Sequence, residues 1–235
     1  MKMESDQMTF RRTIALAVAA TLLTAAGPAP RRGDWNATVA VTPSGSHTVG
    51  NPAAPVKLTE YVSYTCPHCS VFEKEADGAM RLAWVAPGKL QIEVRNLVRD
   101  PIDMTVAMLT NCGPASKFFL NHAAFMRSQA TWITPMSTAS EAQRQRWTGR
   151  DNLTRFRAIA SDFHFYDIMA TRGYSRVAVD RCLADNAMAT RLAAMTQAAV
   201  TSGVNSTPSF AIDGVVLAGT HAWSQLEPQL SARIN

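Results

Sequence analysis

From Val56 to Ser63 the chain is rich in β-branched and aromatic residues and is bounded by Pro55, which predicts a strand. At a period of two, Val56, Leu58, Glu60 and Val62 share one face, so the Glu60 carboxyl lies among apolar neighbours, where a charge is costly. A helix is predicted to open at Cys66, with Pro67 in the first helical position, and to run to about Val85, ahead of Pro87-Gly88. Leu90 to Val98 alternates again and predicts a second strand. From about Asp103 to Ser202 only helical periodicity is found. Phe118, His122, Phe125 and Met126 form one stripe, Leu153, Phe156 and Ile159 a second, and Met188, Leu192, Met195 and Ala199 a third. Ser209 to Leu217 returns to strand composition around the turn residues Asp213-Gly214, and Trp223 to Ile234 is amphipathic. A helical block inserted into a small α/β domain accounts for that order.

Two N-terminal stretches stand outside this pattern. Arg11 and Arg12 precede a fourteen-residue uncharged run, Thr13 to Ala26, that ends in small residues. That order is expected of a cleaved signal peptide over 1–26; the run is shorter than the roughly 20 apolar residues a membrane helix needs. Residues 27–47, with their Pro, Gly, Ser and Arg, read as a flexible lead-in holding one alternating edge segment around Trp35 to Thr42.

Composition narrows the function classes. Of 235 residues, 47% are hydrophobic and 17% charged, enough for a packed core. The net charge of +5 is dispersed, without the clustered basic stripe of a nucleic-acid reader, so no nucleic-acid partner is expected. With export, four cysteines are expected to pair without leftovers: Cys66 with Cys69, and Cys112 with Cys182 inside the helical block. The alternative for Cys112 and Cys182 is two buried, unpaired thiols.

The chemistry concentrates in Cys66-Pro67-His68-Cys69. A helix N-terminus presents unpaired N–H groups and partial positive charge, which favour a thiolate on Cys66; His68 can add charge or a hydrogen bond. Cys69, one turn in, is expected to be less exposed and to resolve or reform the bond. Ser70, not His, follows the second cysteine, which excludes c-type haem attachment. A zinc site would need two further ligands at matched spacing, and none are so placed; no metal or cofactor is expected. A purely structural Cys66–Cys69 bond would close too small a loop to stabilise much chain. His122, on an aromatic stripe, reads as a core histidine, and Trp132 and Trp147 flank a polar stretch expected to be exposed.

The stretch Gly50-Asn51-Pro52 through Cys66-Pro67-His68-Cys69, and Ser206-Thr207-Pro208-Ser209-Phe210 before the late strand, resemble the active-site and cis-proline loops of DsbA-type proteins. The resemblance covers about 48–232; the inserted block matches in size and character only. It implies a thioredoxin-like fold with an all-helical insert, its first part at 48–102, the insert at 103–202 and its second part at 203–235. It further implies that Cys66 is the exposed nucleophile, Cys69 its partner, and Pro208 a cis residue against the site, with Thr207 offering backbone groups to a substrate peptide. Glu60, six residues before Cys66, takes the place of the buried acid that moves protons at Cys69. A strongly stabilised thiolate makes the disulfide form an oxidant. The implied role is a periplasmic thiol:disulfide oxidase acting on reduced, unfolded or partly folded exported proteins and reoxidised by a quinone-linked membrane partner. The rivals are a disulfide isomerase or reductase, and a non-redox thioredoxin-fold binding or metallochaperone module. Periplasmic isomerases of this kind are dimers built on a separate N-terminal domain, for which the lead-in is too short, so a monomer is expected.

Overall fold

The computed structural model describes residues 34–234; the expected signal peptide lies outside them. The elements in chain order are β1 (Val39–Val41), β2 (His47–Gly50), β3 (Val56–Val62), α1 (Pro67–Met80), β4 (Leu90–Asn96) and α2 (Pro101–Thr110). Then come α3 (Phe118–Arg127), α4 (Gln129–Trp132), α5 (Pro135–Thr138), α6 (Glu141–Trp147), α7 (Asn152–Asp162), α8 (Phe165–Thr171), α9 (Arg176–Leu183) and α10 (Asn186–Thr201). The chain closes with β5 (Ser209–Ile212), β6 (Val215–Val216) and α11 (Trp223–Ile234).

All six strands form one sheet in the order β1-β2-β4-β3-β5-β6, with β3 and β4 parallel and every other pair antiparallel. The central strand β3 is buried at all but Lys57, as a strand covered on both faces must be. The α1 helix continues through one π-helical turn, Arg81–Val85, before the chain returns as β4. The nine helices α2–α10 all lie between β4 and β5, so the helical block is an insert in a thioredoxin-like sheet. Its last helix rejoins the sheet: Asn96 N–H meets Met195 Sδ at 3.1 Å, and Val98 N–H donates to Thr196 Oγ1 at 2.9 Å.

One expectation is corrected. In the described part of the 27–47 lead-in and just beyond it, β1 and β2 pair with each other and β2 pairs with β4, extending the sheet by two strands. The turn around Pro43-Ser44-Gly45-Ser46 hid the second strand from the sequence pattern. Gly50 closes β2 at φ 116°, where a Cβ would stand 2.6 Å from the Leu90 carbonyl oxygen; only glycine lets β2 approach β4 there. Trp132 and Trp147 are buried in the insert's aromatic core, although the stretch between them is largely exposed.

Candidate active site

The β3 strand delivers Ser63-Tyr64-Thr65 to the head of α1, where Cys66 is the N-cap in extended conformation and Pro67 follows. Four contacts fix this corner. Cys66 N–H donates to Ser63 O at 3.2 Å, and Tyr64 N–H donates to Asp103 Oδ1 at 2.7 Å. From the insert, Gln129 Nε2 donates to the carbonyls of Tyr64 and Cys66 at 2.6 and 2.9 Å. The nucleophile's backbone is therefore gripped from both parts of the fold.

The sulfurs face the loop before β5, whose Thr207–Pro208 peptide bond is cis. The Cys66 thiol donates to the Thr207 carbonyl at 3.1 Å. The Thr207 hydroxyl is buried without a hydrogen-bond partner, and Thr207 beside the sulfur favours the Cys66 thiolate. Cys66 and Cys69 are unbonded thiols here, 3% and 1% exposed. The expected exposure of Cys66 is thus corrected, because Thr207 sits over its sulfur.

The two thiols differ in acidity. A hydrogen bond from Cys69, aided by Thr207 and the charge of Arg99, outweighs burial and lowers Cys66 to about 5. Burial pushes Cys69 well up, and the neighbouring Cys66 adds to it. One thiol is thus ionised at neutral pH and the other keeps its proton. His68 is exposed, and among the described residues no hydrogen bond joins it to Cys66. Of the two contributions His68 could make, charge or a hydrogen bond, the hydrogen bond is absent among the described residues.

Sequence reasoning missed the polar support behind this corner. Arg99 Nε donates to Ser63 Oγ at 2.9 Å and its Nη2 to Thr65 Oγ1 at 3.3 Å, which holds a cation beside the nucleophile. Asp103, buried on α2, accepts from Ser63 Oγ at 2.6 Å, and burial raises it to about 7. Asp100 caps α2 and accepts from Thr65 Oγ1 at 2.7 Å. Nothing in the sequence tied Asp100 to Thr65. On the other side of the loop, His221 Nδ1 lies 2.7 Å from the Pro208 carbonyl oxygen, a contact fixed by the tertiary fold alone.

Glu60 is buried between β3 and α1, and its Oε1 has no hydrogen-bond partner. Burial raises its carboxyl well above the usual range, and the neighbouring charge of Glu73 adds to this. Its charged neighbours are Glu73, Asp77 and Arg81 on the lower turns of α1 and just beyond; neither cysteine is among them. His122 is buried and bridges Tyr64 and Glu73: Nδ1 lies 2.8 Å from the Tyr64 hydroxyl and Nε2 3.4 Å from Glu73 Oε2. In the insert, a disulfide joins Cys112 to Cys182, with Cα atoms 5.6 Å apart.

A C-x-x-C pair at the head of the helix after the central strand, faced by a cis-proline loop, defines the class of thioredoxin-fold proteins with a dithiol site. The thioredoxin family model matches residues 42–232, and the chain belongs to that family. A protein-disulfide isomerase from Novosphingobium aromaticivorans is 59% identical, with a TM-score of 0.79 over 81% of this chain and 98% of that one. The alpha-DsbA1 of Wolbachia pipientis shares the fold, at 20% identity and a TM-score of 0.63 over 83% of this chain and 93% of that one. A Rickettsia typhi protein, provisionally named a protein-disulfide oxidoreductase, is 28% identical over 85 residues, 36% of this chain. The match spans 32% of that relative's length.

Proposed function

We propose that this chain is an exported, periplasmic thiol:disulfide oxidase that passes the Cys66–Cys69 disulfide to reduced, unfolded or partly folded exported proteins. The observation that carries the reading is the split in acidity between the two cysteines, with Cys66 near 5 and Cys69 well above its usual value. A substrate thiolate attacks Cys66 Sγ and breaks the Cys66–Cys69 bond; Cys69 leaves and takes up a proton. The second substrate thiolate then attacks the substrate sulfur of the mixed disulfide and expels Cys66 as a thiolate. The substrate loses two electrons to the cysteine pair. The acidity of Cys66 makes it the better leaving group in that last step.

Three roles complete the reading. Glu60, kept protonated by burial, exchanges the proton taken up or lost at Cys69. Thr207 offers its backbone to the substrate chain, with Pro208 packed against the sulfurs. A quinone-linked membrane protein restores the disulfide, and the protein works as a monomer. The 59% identical Novosphingobium protein, named a protein-disulfide isomerase, favours a second reading in which the reduced pair reshuffles wrong disulfides.

Incubating Cys69→Ala with a scrambled, disulfide-bonded substrate tests the chemistry, and comparing net oxidation of a reduced substrate with reshuffling of a scrambled one in the wild type separates the readings. The oxidase reading expects mixed disulfides through Cys66, no turnover in Cys66→Ala, and net oxidation faster than reshuffling in the wild type. A Cys69→Ala protein that forms no adducts contradicts the chemistry; faster reshuffling selects the isomerase.

A further inference from the structure

Behind Arg99 lies a cavity of about 690 Å³, open to solvent, between the loop that follows β4 and the starts of α7 and α10. Its wall carries two arginines against one acid. Arg99 and Arg155 both line it, and among the described residues neither has a carboxylate in ion-pair reach, unlike Arg81, Arg95, Arg127, Arg144, Arg146 and Arg157. The acid in its wall, Asp100, is already engaged by Ile102 N–H, Asp103 N–H and the Thr65 hydroxyl, at 2.8, 2.8 and 2.7 Å. Arg155 Nε is buried with no partner, while its Nη1 and Nη2 hold Gly149 O and Asn152 Oδ1 at 3.1 and 2.6 Å. Met104 and Phe156 add apolar wall beside these cations.

One wall residue of the cavity, Arg99, reaches the active-site corner. Arg99 Nη2 is 3.3 Å from the hydroxyl of Thr65, the residue before Cys66. A polypeptide held on Cys66 extends by roughly 3.3–3.6 Å per residue, so a few residues bring its side chains to this opening. We propose that the cavity is a substrate-selecting subsite that takes an acidic side chain flanked by an apolar one, a few residues from the substrate cysteine. Arg99 and Arg155 attract the carboxylate, and Met104 and Phe156 meet the apolar neighbour. The proposal rests on the thiol:disulfide reading and adds a preference to it.

Two dithiol peptides test it, identical except for Glu-Leu or Lys-Leu placed three residues from one cysteine, on either side in turn. At low salt the wild type is expected to oxidise the Glu peptide with a kcat/KM about threefold to tenfold higher, the range for partly solvated charge pairs. In Arg155→Glu the ratio should fall to about one or invert. Thr190→Glu adds a carboxylate from the exposed face of α10 at the cavity wall, and should move the ratio the same way if Arg155→Glu fails to fold. Equal rates for both peptides, or a preference that survives both substitutions, overturn the subsite and leave the redox function standing. A protein that oxidises neither peptide overturns both.

Discussion

The sulfur of Cys66 lies 3.1 Å from the carbonyl oxygen of Thr207, a residue 141 positions further along the chain. Cys66 and the cis-proline loop are thus one structural unit, closed by the pairing of β5 with β3. The Thr207 hydroxyl is buried without a hydrogen-bond partner, and Thr207 lowers both thiols. Absorbance of the reduced protein at 240 nm should therefore titrate with a midpoint near 5. Thr207→Val, which keeps the shape and removes the hydroxyl, should raise that midpoint by about 1–2 units, the scale of one polar interaction with a charged group. A midpoint near 8.5 in the wild type, or an unchanged midpoint in the variant, would contradict the assignment.

The same acidity makes the stability of the reduced protein depend on pH. Cys66 is lowered to about 5 in the fold, against about 8.5 in an unfolded chain. Its contribution is full above the unfolded value and is lost as pH falls through about 5. At pH 7 it amounts to no more than about 3 kcal/mol, less whatever solvent screening removes. Urea unfolding of the reduced and oxidised forms should show the reduced form gaining on the oxidised one between pH 5 and 8.5. Parallel curves would mean that the fold does not favour the thiolate.

Glu60 carries the opposite sign. Burial raises its carboxyl, so the fold bears a growing cost as pH rises above the unfolded value near 4.3. Glu60→Gln should be more stable than wild type at pH 8, by on the order of 1–2 kcal/mol, with the advantage vanishing toward pH 4. If Glu60 also serves Cys69, the variant's oxidation rate should lose its pH dependence. A gain in stability with an unchanged pH–rate profile would leave Glu60 a buried acid without a catalytic task.

Cys112 and Cys182 are 70 residues apart and tie the end of α2 to α9. Their joint replacement by Ala should cost about 4 kcal/mol in the loop-entropy account. Oxidised, denatured protein should show no free thiol, and mild reduction should expose Cys66 and Cys69 first. Two thiols mapped to Cys112 and Cys182 without any reductant would contradict the bond.

Local pattern carried much of this architecture. The strand composition of Val56 to Ser63, the alternation of Leu90 to Val98, the Pro67 start of α1 and the Asp213-Gly214 turn are short-range signals; the strands lie at Val56–Val62 and Leu90–Asn96, and the helix start and turn at the expected places. What the pattern could not carry is contact between distant segments. Gln129 and Asp103 reach the active-site corner across 65 and 39 residues, and no periodicity marks a side chain for such a bond. The burial of Cys66 was likewise hidden, since it depends on where the Thr207 loop lands. Of the insert's methionines, Met108, Met126 and Met169 are buried among apolar side chains.

Equilibration of the Cys66–Cys69 pair against glutathione buffers tests the central claim most directly. A thiolate held near 5 stabilises the reduced form, so the pair should remain largely reduced at a poise of about −180 to −210 mV. A Cys66–Cys69 disulfide that persists below roughly −270 mV, the range of a reductant, would contradict the oxidase account.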